Sequence, residues 1–145
     1  MPGLSGEGTR TGGCACGAVR FTARGEPRRV GLCHCMTCRQ ASGSIFNAFA
    51  VYSRDAVELA GETGAWASST RGRRHFCPRC GSQVFARNEG SDEIEMRLGA
   101  FDEPNLFRPT YEAWIGRRES WFRTDAPLHG YARNRTERGP AEDGG

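Results

Sequence analysis

The seven cysteines of this 145-residue chain fall into three groups. They are Cys14-x-Cys16, Cys33-x-Cys35-x-x-Cys38 and Cys77-x-x-Cys80. Seven is odd, so a closed disulfide framework leaves one thiol over. Metal ligation accounts for all of them. In an extended segment residues i and i+2 point to the same side, so Cys14 and Cys16 can meet one ion. The run Phe76-Cys77-Pro78-Arg79-Cys80-Gly81 is a zinc-knuckle signal. Its proline fixes the turn, and its glycine lets the backbone bend so that amides approach the sulfurs.

The ligand count separates two chemistries. A structural zinc takes four protein ligands, whereas a catalytic zinc takes three and keeps one position open. Two short cysteine pairs can close a four-thiolate site. Cys33, Cys35 and Cys38 then form a local three-thiolate site, either open or closed by His34 or another side chain. Placed between Cys33 and Cys35, His34 points away from the metal in an extended chain. Three thiolates leave zinc a poor activator of water for hydrolysis. A soft, thiolate-rich ion instead suits a fourth thiolate, and a thiol that coordinates it loses its proton. The spacing therefore points to thiol chemistry.

The elements that must carry these groups read as short strands. Ala18–Ala23, Ile45–Tyr52, Val57–Ala60, Gln83–Ala86, Glu93–Leu98 and Tyr111–Ile115 are each bounded by turn-forming residues. Met36–Ala41 and the turn Arg54–Ala56 read as short helices. Arg71-Gly72-Arg73-Arg74 reads as a solvated hairpin tip, and Trp66, Trp114 and Trp121 as core. The expected architecture is mainly β, with one domain over residues 10–132, a flexible arm over 1–9 and a disordered tail over 133–145. Hydrophobic residues are only 37% of the chain, with 20 glycines, so the core needs staples.

Composition narrows the function classes. No run approaches the roughly 18 apolar residues of a membrane span. The opening residues, MPGLSGEGTR, carry no apolar stretch of the signal-peptide kind. Together with the cysteine usage, this predicts a reducing, cytoplasmic setting. A net charge of +3 is short of a dedicated nucleic-acid binder. All 20 basic residues are arginine, which codon bias explains without any functional cause. The expected partners are small molecules, with neither nucleic acid nor membrane, and the oligomeric state is open.

Four segments together resemble a known family. They are Gly12-Gly13-Cys14-Ala15-Cys16-Gly17-Ala18-Val19-Arg20-Phe21, Cys33-His34-Cys35-Met36-Thr37-Cys38-Arg39-Gln40-Ala41-Ser42-Gly43-Ser44, Phe76-Cys77-Pro78-Arg79-Cys80-Gly81-Ser82 and Leu98-Gly99-Ala100-Phe101-Asp102. Their order and spacing resemble the glutathione-dependent formaldehyde-activating family, which includes a centromere-protein-V-like branch. The resemblance covers roughly Thr11 to Phe122. It implies a β-tent of antiparallel sheets stapled by two zinc ions. It also implies a structural zinc on Cys14, Cys16, Cys77 and Cys80, and a catalytic zinc on Cys33, Cys35 and Cys38. The implied activity is a carbon–sulfur lyase reaction, the reversible condensation of glutathione with formaldehyde. Family members often carry a histidine near Glu112; here the sequence reads Tyr111-Glu112-Ala113-Trp114.

Arg39, Gln40, Ser42 and Gly43, beside the three-thiolate segment, are the candidate substrate-binding residues. Arg39 suits a substrate carboxylate, of which glutathione has two, or the negative charge of the metal site. Glu112, Asp102 and Glu103 are candidate bases toward a thiol, if burial lifts their pKa. Two other readings compete: a non-catalytic thiol or aldehyde carrier, and a zinc-stabilised interaction module.

Overall fold

The computed structural model describes residues 8–136. In chain order its strands are β1 (Thr9–Gly13), β2 (Arg20–Arg24), β3 (Arg29–Cys33), β4 (Asn47–Ser53), β5 (Val57–Ala60), β6 (Gly64–Ala67), β7 (Gly72–Phe76), β8 (Gln83–Asn88), β9 (Glu93–Arg97), β10 (Tyr111–Ala113) and β11 (His129–Tyr131). One helix, α1 (Met36–Ser42), follows β3 directly. The strands form two open sheets, β1-β2-β5 and β11-β10-β3-β4-β9-β8-β7-β6. The fold is mainly β, as the sequence implies. The pairing is antiparallel except where β10 runs parallel to both β3 and β11. Parallel neighbours need a long connection: residues 114–128 supply it between β10 and β11, and everything from α1 through β9 lies between β3 and β10.

β4 explains how the layers meet. Its run Asn47–Ser53 is buried almost throughout, the pattern of a strand covered on both faces. Ala50 and Tyr52 join Phe21, Ala23, Val84, Phe85, Ile94 and Met96 in the core between the sheets. Phe49 and Val51 point the other way, toward Cys33, Cys35, Cys38, Tyr111 and Tyr131. Each side chain reaches its layer because successive residues of a strand alternate faces. Gly31 lets Tyr111 lie across β3, since a Cβ there would sit 2.5 Å from the ring.

The structure differs from the expected elements in four places. β1, β3, β6, β7 and β11 read as loops in the sequence because glycine, arginine or small residues interrupt their apolar pattern. Arg71–Arg74 is no hairpin tip: the last three residues open β7, and Arg74 is buried. Trp66 and Trp121 are exposed rather than core, and Trp114 packs partly buried against the cysteine-bearing layer. The expected tail also starts too early. The Trp114 indole N–H donates to Asn134 at 2.8 Å, and Arg135 is buried with its guanidinium over Tyr111. Likewise Thr9, expected in the arm, opens β1. Residues 1–7 and 137–145 lie outside the described residues.

Candidate metal centres

The first cluster joins the two sheets. Cys14 and Cys16 lie in the β1–β2 turn, and Cys77 and Cys80 in the β7–β8 turn. All four Sγ atoms lie within 4.8 Å of one another. Cys14 and Cys16 are 3.7 Å apart and Cys16 and Cys77 3.8 Å. A tetrahedron with zinc–sulfur bonds of about 2.3 Å has edges of about 3.8 Å, so these thiols are spaced for zinc. Backbone amides converge on the sulfurs: Val19 N–H donates to Cys14 at 3.2 Å and Arg79 N–H to Cys77 at 3.3 Å. Gly17 and Gly81, each just after a pair, adopt φ values of +87° and +81°. That left-handed backbone turns both loops back at little cost only with glycine. The Ser82 hydroxyl, 3.2 Å from Cys80, leads the contacts that hold the Cys80 thiol down at about 5.

The second cluster is local and buried. β3 ends on Cys33, and Cys35 caps α1 with its sulfur accepting from Cys38 N–H at 3.3 Å. Cys38 lies one turn into the helix. The three Sγ atoms lie within 4.8 Å of one another, and all three residues are buried. Hydrogen bonds from the Cys33 and Cys38 thiols push Cys35 down to about 3, while the same contact with Cys35 pushes Cys33 up. Each cluster could hold a metal ion, and both donor sets fit zinc.

Strand register brings two arginines to this cluster that sequence reasoning missed. Cys33 pairs with Asn47, Phe49 with Arg97, and Arg74 with Ala86, which pairs with Glu95. Directly paired residues share a face, so Cys33, Arg97 and Arg74 lie on one side of the large sheet. Arg74 Nη2 donates to Cys38 Sγ at 3.5 Å. Arg97 is 5% exposed, and its Nη1 lies 3.7 Å from Glu95 Oε1. The charge-offsetting place expected for Arg39 is therefore taken by Arg74. Arg39 turns outward to Glu119 at 2.8 Å and to the Ile45 carbonyl at 3.3 Å. In the sequence, only the period-two pattern Gly72-Arg73-Arg74-His75-Phe76 hinted that Arg74 faces inward.

His34 points away from the thiols, as its position between them predicts. It is fully buried, and its Nε2 lies 2.8 Å from Glu112 Oε1. Arg118 Nε stands 3.1 Å from the same oxygen, and Phe46 and Phe122 present ring edges to the imidazole. Glu112 thus ties β10 to the segment between the first two thiols. Asp102, by contrast, accepts hydrogen bonds from the Arg20 guanidinium at 3.0 Å and the Thr11 hydroxyl at 2.6 Å. The arginine beside it holds its carboxyl below the usual range. Glu103 is exposed.

A cleft of about 570 Å³ borders Cys14 of the first cluster and reaches the second cluster's sheet face at Arg97 and at Asn47, the strand partner of Cys33. Ser42, Ser44, Asn47, Gln83, Arg97 and Asp102 supply polar lining. Of the four candidate substrate-binding residues, only Ser42 lines it. Gln40 is exposed, and Gly43 ends α1 with φ +71°.

Comparison with known proteins decides the family. A family model described as glutathione-dependent formaldehyde-activating enzyme matches residues 9–117. The chain belongs to this family. All seven cysteines, Arg74, Arg97 and Glu112 lie inside the matched span. A Schizosaccharomyces pombe protein named an uncharacterized lyase is 35% identical over 62% of this chain and 66% of its own length. A Halomonas elongata protein named a putative glutathione-dependent formaldehyde-activating enzyme is 30% identical, covering 68% of each chain. A Penicillium rubens protein of the same name is 27% identical over 76% of this chain and 64% of its own. The chain thus spans about two thirds of the length of these relatives. The crystal structure of a Rhodobacter sphaeroides protein shares the fold, with a TM-score of 0.55 and 19% identity over 66% of this chain and 91% of that one. Among the described residues no helix is long and apolar enough to cross a membrane.

Proposed function

We propose that this family member is a zinc-dependent carbon–sulfur lyase-type enzyme acting on a thiol, glutathione first, and a small aldehyde such as formaldehyde. The observation that carries the reading is a buried trio of thiols with Arg74 on one sulfur, on a sheet face that a cleft reaches at Asn47 and Arg97. Cys14, Cys16, Cys77 and Cys80 hold a structural zinc that staples the sheets. Cys33, Cys35 and Cys38 hold the working zinc. Bound there, the ion supplies a position at which a substrate thiol gives up its proton near neutral pH.

The chain's own groups do the rest. Arg74 offsets the negative charge that three thiolates bring into a buried place. Glu112 and His34 fix the Cys33–Cys35 segment against β10, so the sulfurs keep their spacing. Ser42, the last residue of α1, and Ser44 just after it border the cleft where the substrate lies. In the condensing direction the sulfur–carbon bond forms and the carbonyl π bond breaks. The carbonyl electron pair passes to oxygen, which takes up the proton lost by the thiol. The lyase direction is the reverse, so no oxidant or reductant is required. A reducing, cytoplasmic compartment suits seven unpaired thiols.

The test is exchange spectroscopy on the glutathione–formaldehyde adduct, with zinc content measured on the same sample. We expect two zinc ions per chain and a saturable acceleration of exchange that is absent in Cys35→Ser. Exchange at the buffer rate, with ligand bound, would overturn catalysis and leave a carrier.

A further inference from the structure

We infer that the cleft, which shares Arg97 and Asn47 with the sheet face of the three-thiol cluster, binds the peptide body of the thiol substrate, with a substrate carboxylate on Arg97 and a substrate amide N–H on Gln83. The inference rests on the reading above and names which part of the thiol is recognised, and by what.

Size is the first argument. About 570 Å³ lies within the range of about 300–1,000 Å³ usual for small-molecule sites. An aldehyde of two heavy atoms fills only a small part of it, so the space belongs to the larger partner.

The second argument is an unmet donor. Arg97 is the one cation lining the cleft among the described residues. Its Nε and Nη1 are buried and have no hydrogen-bond partner. Glu95, 3.7 Å away, balances charge but is too far to accept a hydrogen bond. Buried guanidinium donors left unmet are costly, and a carboxylate satisfies their planar fork bidentately. Arg74 spends a donor on Cys38, whereas Arg97 faces the cleft.

The third argument is an unmet acceptor on the same cleft. Gln83 Nε2 donates to the Ala41 carbonyl at 2.8 Å, which fixes which end of the amide is nitrogen. Its Oε1 is then buried with no partner. A carbonyl oxygen can only accept, so it calls for an N–H. A peptide brings both a carboxylate and an amide N–H. The acidic residue in the cleft, Asp102, does not compete for Arg97, because Arg20 and Thr11 already occupy it.

The experiment is calorimetric titration of zinc-loaded protein with three thiols. They are glutathione, its ethyl ester masked at the glycine carboxylate, and cysteinylglycine, which lacks the glutamyl carboxylate. We expect the wild type to bind glutathione at least tenfold more tightly than one of the other two, and that analogue identifies the carboxylate held. Arg97→Gln should erase the preference, with zinc content and melting temperature unchanged. Arg97→Lys, which keeps the charge but loses the fork, should retain part of it and serves as the readout should Arg97→Gln not fold. Equal binding of all three thiols by the wild type, or a preference that survives both substitutions, would overturn the inference. Discrimination without acceleration of adduct exchange would overturn only the catalytic reading; acceleration without discrimination would overturn only this one.

Discussion

Cys80→Ser and Cys35→Ser remove one sulfur each, yet they should have opposite consequences. The four-thiol cluster ties together Cys16 and Cys77, which are 61 positions apart. Cross-linking a loop of that length restricts the unfolded chain by about 4 kcal/mol in the chain-entropy account. Domains of this size have a total stability of about 5–15 kcal/mol. At about 3 °C per kcal/mol for a chain of this length, Cys80→Ser should lower the melting temperature by roughly 10–15 °C. Loss of the metal–ligand bonds themselves adds to this. Cys35→Ser opens a site whose ligands are already neighbours in the chain, so almost no loop entropy is at stake. Serine also keeps the helix cap that Cys35 provides to α1. Its melting temperature should stay within a few degrees of wild type while one zinc and all thiol-dependent activity disappear. Differential scanning calorimetry with elemental analysis on the same samples decides the matter. Equal destabilisation by the two variants, or a Cys80→Ser protein as stable as wild type, would refute the division into a stapling and a working site.

Other substitutions test the surroundings. Arg74→Gln removes the donor to Cys38, and chelator competition should show the second zinc held about 10–100-fold more weakly; unchanged retention would remove Arg74 from the site. Glu112→Ala leaves the buried His34 ring and Arg118 without their shared oxygen, at a cost of about 1–3 kcal/mol in denaturant unfolding. Gly31→Ala places a methyl 2.5 Å from the Tyr111 ring and should cost about 1–3 kcal/mol, much of it recovered when Tyr111 is also made leucine.

The thiols were legible because a cysteine group is a local pattern, and spacing alone fixes which sulfurs can share an ion. The direction of His34 was legible for the same reason. Arg74 and Arg97 were not, because each stands among charged or turn residues and reads as surface. Their burial is decided by register: Arg97 faces the thiols because Phe49 opposes it across β4. β3 was hidden by Arg29 and Gly31, although Gly31 is what lets Tyr111 cross the strand. By composition Arg135 reads as tail, and only its seat over Tyr111 brings it into the fold. Strands β2, β4 and β9 are readable, since burial on a sheet leaves a mark on the sequence that a long-range salt contact does not.

β4 carries a consequence for how this chain tolerates change over generations. Its even-numbered side chains at 50 and 52 belong to the inter-sheet core, and its odd-numbered ones at 49 and 51 to the layer around the thiols. Drift at Ala50 or Tyr52 is therefore filtered by whether the protein folds. Drift at Phe49 or Val51 is filtered also by what the thiols can do. A saturation scan scored separately for abundance and for activity should alternate along the strand with a period of two. Divergence in substrate among relatives would then concentrate at every second position of β4 and leave the intervening ones at rest.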